Sequence, residues 1–365
     1  MYQERAMTTR WTRWAAWAAL LLAAVGCGSA GAERAPLTVM AVGDITMGRA
    51  WPGSARKLPP DAARPIFAPT RSILGRADLT FGNLETVLAD RGKSKKCHEG
   101  AKNCYAFRVP TAYARTLAET GFDLLSVNNN HANDYGRQGR QETIRALDEV
   151  GIAYSGVDNG PVSVRVKGRR VAMLAFAYAR WNPYRIQDLT KARTLVAALA
   201  RDNDIVIVSF HGGAEGAGKD HVPKRTETAW GEDRGDVYAF AHAVVDAGAD
   251  LVLGHGPHVL RAMEVYKGRL IAYSLGNFSA WGTFRLRGPS ALSAILEVSL
   301  RADGELDQAR LHPLRLRWPG IPTPDPSGRS IATVRRLSLH DLGVEALDAD
   351  GRIRGVRVLP SPGGR

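Results

Sequence analysis

Long hydrophobic runs are almost missing from this chain of 365 residues. The one clear case, 14–25, is too short to span a bilayer as a stable helix, and no other segment is long and apolar enough to cross one. Cysteine is scarce, with three residues at 27, 97 and 104. The pair at 97 and 104 has His98 beside it, but one short cluster lacks the four ligands of a structural zinc site. Acidic residues are in deficit, 36 against 49 Lys and Arg, for a formal net charge of +13. No internal repeat is present, which excludes a solenoid, and no shift of composition demands a second domain. The 38 glycines and 19 prolines mark tight connections rather than low complexity.

What is present begins with a leader. Arg10 and Arg13 precede the apolar run, and small residues then lead to Cys27 in the stretch Leu-Ala-Ala-Val-Gly-Cys. This is the layout of a secretory signal peptide over 1–26. A cysteine directly after Gly26 resembles a bacterial lipobox, which makes Cys27 a lipidated N-terminus and 27–36 a tether; ordinary cleavage after a small residue is the alternative. Setting Cys27 aside leaves Cys97 and Cys104, and an even remainder in an exported chain points to a disulfide. Excess cation on an exported chain suits an anionic surface or polymer and makes nucleic acid a poor partner. Arg91, Lys93, Lys95, Lys96 and Lys102 concentrate that charge near the cysteine loop, where a merely solvated loop is the other reading.

Hydrophobic patterning predicts an α/β domain over 37–340, with 341–365 as an extension packing on it or trailing from it. Strands are expected at 37–42, 77–81, 122–127, 152–155, 204–210 and 249–253, and hairpins at 162–177 and 259–274. Antiparallel strands are expected at 291–300 and 308–316, and a small strand at 355–359. Helices are expected at 66–75, 111–120, 139–150, 189–201, 233–247 and 329–337. The stretch 214–230 reads as a long polar loop, a type that is usually functional or mobile.

Five times an apolar strand ends in a Gly or Asn turn and then a metal-type ligand: Asp44, Glu85, Asn130 with His131, His211, and His255 with His258. A parallel sheet with crossover helices would gather these residues along one edge. Carboxylates, an amide oxygen and imidazoles suit a divalent cation such as Zn, Mn or Fe, which can stabilise an anionic transition state. Each residue has a plainer role available as a cap, turn or core residue; the recurrence at five strand ends favours the site.

These segments carry a resemblance to the CapA family, the bacterial capsule and poly-γ-glutamate synthesis proteins with a calcineurin-like metallophosphatase fold. The resemblance runs from Leu37 to Leu337. It is carried by Val-Gly-Asp44, Phe-Gly-Asn-Leu-Glu85, Asn-Asn-Asn-His-Ala-Asn-Asp-Tyr-Gly136, His-Gly-Gly-Ala-Glu215, the Gly-His-Gly-Pro-His segment ending at His258, and Tyr-Ser-Leu-Gly-Asn-Phe278. It implies a four-layer α-β-β-α sandwich. By similarity, Asp44, Glu85, Asn130, His211, His255 and His258 hold one or two divalent ions. By the same similarity His131 would protonate a leaving group or stabilise negative charge. Asp134 and Glu215, close in sequence to ligand positions, are candidate general bases or orienters, Asn83 is a candidate substrate contact, and Asn277 is a candidate substrate contact or a turn residue. Three departures stand out: Thr46 where metallophosphatases carry a histidine, Glu85 for aspartate, and one extra residue between His255 and His258.

The expectation is an exported, membrane-anchored protein of envelope polymer metabolism, acting on an anionic polymer such as poly-γ-glutamate by metal-assisted hydrolysis or transfer. Two alternatives use the same cleft: a polyanion-binding or tethering protein without turnover, and a metal-independent acid–base epimerase.

Overall fold

Residues 39–42, 171–177 and 205–208 are apolar without interruption. A strand with no polar face has to be covered on both sides. In the computed structural model, which describes residues 35–49, 58–94, 96–97 and 104–354 together with the backbone of Glu4–Arg5, that is how they sit.

The chain first lays down four parallel neighbours: β1 (Leu37–Thr46), β2 (Leu79–Leu84), β3 (Leu124–Ser126) and β4 (Ala153–Ser155). The connections carry α1 (Tyr113–Thr120) and α2 (Gly136–Glu149). The helix expected at 66–75 is two single turns, Arg64–Phe67 and Arg71–Leu74, separated where the Thr70 hydroxyl donates to the Phe67 carbonyl.

A second sheet follows. It contains the hairpin β5 (Val162–Val166) and β6 (Arg169–Ala177), then β7 (Ile205–His211), β8 (Leu251–His255), and the hairpin β9 (Met263–Tyr266) and β10 (Arg269–Ala272). Its order is β5-β6-β7-β8-β10-β9, with Glu4–Arg5 adding a short parallel bridge to β5. Helices α3 (Leu189–Asp202) and α4 (Val237–Asp246) make the crossovers, each started by an aspartate, Asp188 or Asp236, that accepts a backbone N–H of the first turn.

The chain then returns to the first sheet. β11 (Asn277–Ala280) pairs with the end of β1, and β12 (Leu292–Leu300), β13 (Leu306–Arg317) and β14 (Ile321–Pro324) extend it antiparallel. After α5 (Arg329–Leu337), β15 (Arg352–Arg354) pairs with β13.

Side-chain alternation divides the core into three apolar layers. Val39, Ala41, Phe81, Val171, Met173, Ile207 and Leu253 pack between the two sheets. Met40 and Val42 turn outward onto Phe67, Leu117 and Leu147. Ala172, Leu174 and Phe176 turn outward onto Val196, Phe240 and Val244. The result is a four-layer α-β-β-α sandwich, so the single parallel edge inferred from the strand pattern is replaced by two sheet edges facing one another.

Two further assignments differ from the expectations above. The helix expected from 233 begins at Val237, because Glu232–Gly235 pairs with Glu227–Ala229. The 214–230 stretch is therefore not a bare loop. Buried Arg261 clamps it through Glu227 (two contacts of 2.8 Å), the Lys219 carbonyl and the Ala214 carbonyl. Beyond residue 340 the chain still packs, with Leu347 and Ile353 buried in the inter-sheet core. Apart from the backbone of Glu4–Arg5, the expected signal peptide lies outside the described residues, as do Cys27 and the strand expected at 355–359. Among the described residues no helix is long and apolar enough to cross a membrane.

Candidate metal centre

Register brings the polar strand ends together. Asp44 on β1 lies opposite Asn83 on β2 and Asn277 on β11, and His211 on β7 lies opposite His255 on β8. Glu85 follows β2, the Asn128–His131 turn follows β3, and His258 follows β8. The first sheet thus supplies the carboxylates and the second sheet most of the imidazoles.

Tight backbone contacts hold this edge. A Cβ on Gly43 would fall 2.0 Å from the Gly276 carbonyl oxygen, which accepts the Asp44 N–H at 2.9 Å. His258 takes φ +59, a strained value for a residue with a side chain. It is held there by Nδ1 contacts of 3.0 Å to Asp44 Oδ2 and 3.0 Å to Asn277 Oδ1. Asn128 links the sheets by donating to the Ala175 carbonyl at 2.7 Å.

Glu85 sits at the centre. It is fully buried, and neither carboxylate oxygen has a hydrogen-bond partner. Three imidazole nitrogens surround Oε1: His211 Nε2 at 3.7 Å, His258 Nε2 at 3.7 Å and His131 Nε2 at 3.9 Å. His211 Nε2, His255 Nε2 and Asn130 Oδ1 are also buried without hydrogen-bond partners. Donor atoms of Asp44, Glu85 and His258 lie within 4.8 Å of one another. A buried carboxylate left unpaired among imidazole and amide acceptors is costly by itself. This donor set fits a divalent cation of the Zn, Mn or Fe kind.

The electrostatics follow from crowding. Burial works against ionising Asp44, but hydrogen bonds from His255 and His258 hold its carboxyl well below the usual range. Burial pushes Glu85 well above its usual value; His258 pulls it down, while Asp44 and Glu215 add to the rise. Burial alone would depress His258, yet Glu85, Asp44 and Glu215 raise it well above an ordinary histidine. His211 is driven down to about 3 by burial.

Beside this centre stands a dyad. His131 Nδ1 lies 2.7 Å from Asp134 Oδ2, which also accepts the Phe107 N–H at 2.8 Å, and Lys96 Nζ donates to Asp134 Oδ1 at 2.8 Å. Phe107 stacks on the imidazole, with centroids 4.2 Å apart. His131 Nε2 is left facing Glu85. Burial lowers the His131 pKa, with Asp134 pulling the other way. Glu215, 3.4 Å from His258 Nε2, is held far below its ordinary value against burial by His258 and Arg234.

The family described as "Bacterial capsule synthesis protein PGA_cap" matches residues 38–280, a span that contains every one of these residues. The chain belongs to that family. Over 270 residues it is 32% identical to the capsule biosynthesis protein CapA of Bacillus anthracis, covering 67% of this chain and 60% of that one. Over 285 residues it is 30% identical to the PGA biosynthesis protein CapA of Bacillus subtilis, covering 73% and 69%. The chain therefore spans about three fifths of the Bacillus anthracis relative. Likeness to solved structures is weaker. A phosphatase from Mycoplasma pneumoniae is 14% identical with a TM-score of 0.47, covering 81% of this chain and 96% of that one. A 5′-nucleotidase precursor from Thermus thermophilus is 14% identical with a TM-score of 0.43, covering 86% and 60%.

Within this PGA_cap chain the two asparagines expected at substrate also make contacts inside the site. Asn83 is fully buried, and its amide groups are engaged: Nδ2 donates to Asp44 at 2.8 Å and Oδ1 accepts from Asn129 at 3.2 Å. It positions Asp44. Asn277 reaches the cleft wall but also holds His258, donating to its carbonyl at 3.3 Å. The Cys97–Cys104 bond is present, with Cα atoms 5.7 Å apart, and it anchors the neighbouring Lys96.

Outside the buried centre lies a cleft of about 1030 Å³. Its cationic wall, Lys96, Arg180, Arg185, Arg234 and Arg285, was not singled out by strand-end reasoning except for Lys96 as part of a basic loop. Arg234 is buried and lies 4.1 Å over the Tyr178 ring, beside Glu215 and Glu232. The sequence signal is only a charged run at 232–234, of which the 227–235 ribbon turns Arg234 inward and leaves Glu232 and Asp233 exposed.

Proposed function

We propose that this protein is a metal-dependent hydrolase or transferase of the cell envelope whose substrate is an anionic polymer. The observation that carries the reading is Glu85, buried with both oxygens unpaired and faced by His131, His211 and His258. Asp44, Glu85, His211 and His258, with Asn130 and His255, are the residues that would hold the ion. A bound divalent ion supplies positive charge that polarises a phosphoryl or acyl oxygen.

The chain's own groups do the rest. Asp134 fixes His131 through Nδ1, so that Nε2 can give or take a proton at the scissile bond. Against burial, His131 and then Lys96 keep Asp134 ionised, and Phe107 restricts the ring. Arg180, Arg185 and Arg285, which line the cleft, offset substrate charge on entry, while Lys96 and Arg234 are paired with Asp134, Glu215 and Glu232. The names of the Bacillus relatives, a capsule and a PGA biosynthesis protein, support an envelope polymer as substrate class. Export and anchoring through Cys27 belong to the same proposal; mass spectrometry of the membrane fraction tests them, and an unmodified Cys27 on the mature chain would refute anchoring.

Metal analysis after reconstitution with Zn, Mn or Fe tests the central reading. Wild type should retain ion, and Asp44→Ala and Glu85→Gln should not. Equal, negligible retention by all three overturns it. The metal-independent epimerase reading has one observation in its favour, the His131–Asp134 dyad, which needs no ion to exchange a proton. Full activity in chelator selects it; loss of activity in chelator removes it.

A further inference from the structure

A second concavity adjoins the cleft. It measures about 850 Å³ and is lined by Phe284, Arg285, Leu286, Arg287, Arg315, Leu316, Arg317 and Trp318. Half of these residues are arginines and none is acidic. No ion pair ties any of the four arginines to a carboxylate among the described residues. Strand geometry explains their convergence. Arg315 and Arg317 are two apart on β13 and share a face, with Leu316 buried between them on the other. Arg285 and Arg287 are exposed on the segment that crosses from β11 towards β12. Four guanidinium groups along one groove with no carboxylate in its lining give it a positive potential that favours an anion.

The groove is continuous with the cleft, because Phe284, Arg285 and Trp318 line both. Phe284 also packs on His258, with centroids 4.7 Å apart. From this juxtaposition we infer that the arginine groove is an extended-chain subsite, binding the carboxylates of a linear polycarboxylate whose neighbouring unit lies at the metal centre. The inference rests on the function proposed above. Guanidinium forks match carboxylates and phosphates in pairs, and the groove holds no lysine; the choice of carboxylate follows from the envelope polymer proposed above. Trp318, 79% exposed at the junction, offers a flat apolar wall for the methylenes between carboxylates. A flat anionic membrane would also meet arginine and tryptophan, but a concave groove leading into a cleft suits a chain.

The test uses the full chain and two labelled γ-linked glutamate oligomers, one short enough to occupy the cleft alone and one long enough to reach the groove. Arg315→Gln/Arg317→Gln should weaken the long oligomer roughly threefold to tenfold and flatten its salt dependence. Binding of the short oligomer and metal content should not move. Arg287→Gln, on the exposed segment and outside the cleft lining, repeats the experiment with a smaller loss if the β13 pair disturbs folding. Equal losses for both oligomers, or none, overturn the subsite. Loss of binding to anionic vesicles with oligomer binding intact assigns the groove to a membrane and overturns it too, and stronger binding of polyphosphate at equal charge overturns the carboxylate assignment. A wild type that holds no ion but still binds the long oligomer through these arginines leaves the subsite standing and sinks the metal reading, so the two failures separate.

Discussion

Replacing Glu85 by glutamine probes the centre without any substrate. In the metal-free protein three carboxylates, Asp44, Glu85 and Glu215, face one imidazole, His258. Glu85 is the unpaired one. Its pKa is raised above an ordinary value of about 4.5, chiefly by burial. For a raised carboxyl, stability is fully present below the unfolded value and is lost as pH climbs through the folded value. The metal-free wild type should therefore weaken from about pH 4.5 upward, and Glu85→Gln should remove that component. A buried charge without full compensation costs several kcal/mol, so the variant should be more stable by about 2–4 kcal/mol at alkaline pH. At about 2 °C per kcal/mol for a chain of this size, the metal-free midpoint should rise roughly 4–8 °C. Added ion should reverse the order: at a thousandfold excess over Kd wild type gains about 4 kcal/mol, and the variant gains little. Differential scanning calorimetry with and without Zn or Mn reads both effects. A metal-free variant less stable than wild type, or one that gains as much from the ion, would refute the reasoning.

Other outcomes follow from the same geometry. Asp134→Asn removes the orienting carboxylate from His131 and should lower turnover roughly 10²–10⁴-fold with metal content unchanged, read by steady-state kinetics beside metal analysis. Lys96 adds to the burial that depresses the His131 pKa, so Lys96→Met should move upward whichever limb of the pH–rate profile His131 sets, the alkaline limb if it donates the proton, and reduction of the Cys97–Cys104 bond should shift it the same way. His211 is held neutral by burial, its pKa lowered to about 3, so it contributes stability that is present above its ordinary 6.5 and lost between there and about 3. His211→Asn should flatten acid unfolding of the metal-free protein over that window. Gly43→Ala would set a methyl 2.0 Å from the Gly276 oxygen, where backbone must yield; a loss of about 3 kcal/mol or more with impaired ion retention is expected, measured by urea unfolding.

Much of the centre was legible because it lies on local signals. Asp44, Glu85, Asn130, His211 and His255 each follow an apolar run and a turn, and a strand end is readable from neighbours in sequence. What could not be read was which strands share a sheet. Fully buried strands of either sheet have the same apolar pattern, so the parting of β1–β4 from β5–β10 left no mark in periodicity. Asn83 illustrates the next limit. Whether an amide faces solvent or its neighbour depends on register, and its engagement with Asp44 and Asn129 becomes visible only once β1, β2 and β3 are aligned. The arginine groove lies furthest from legibility. Arg285 and Arg287 sit in a segment with no pattern, and they meet Arg315 and Arg317 across an interval that only tertiary packing closes.

An anomalous-diffraction map from crystals grown with Zn or Mn tests the metal centre most directly. The predicted result is a peak about 2.0–2.2 Å from donor atoms of Asp44, Glu85 and His258, the three that already converge. The contradicting result is no density there at saturating ion, or a peak only at the other His and Asp group, His221, His340 and Asp341, near the protein surface.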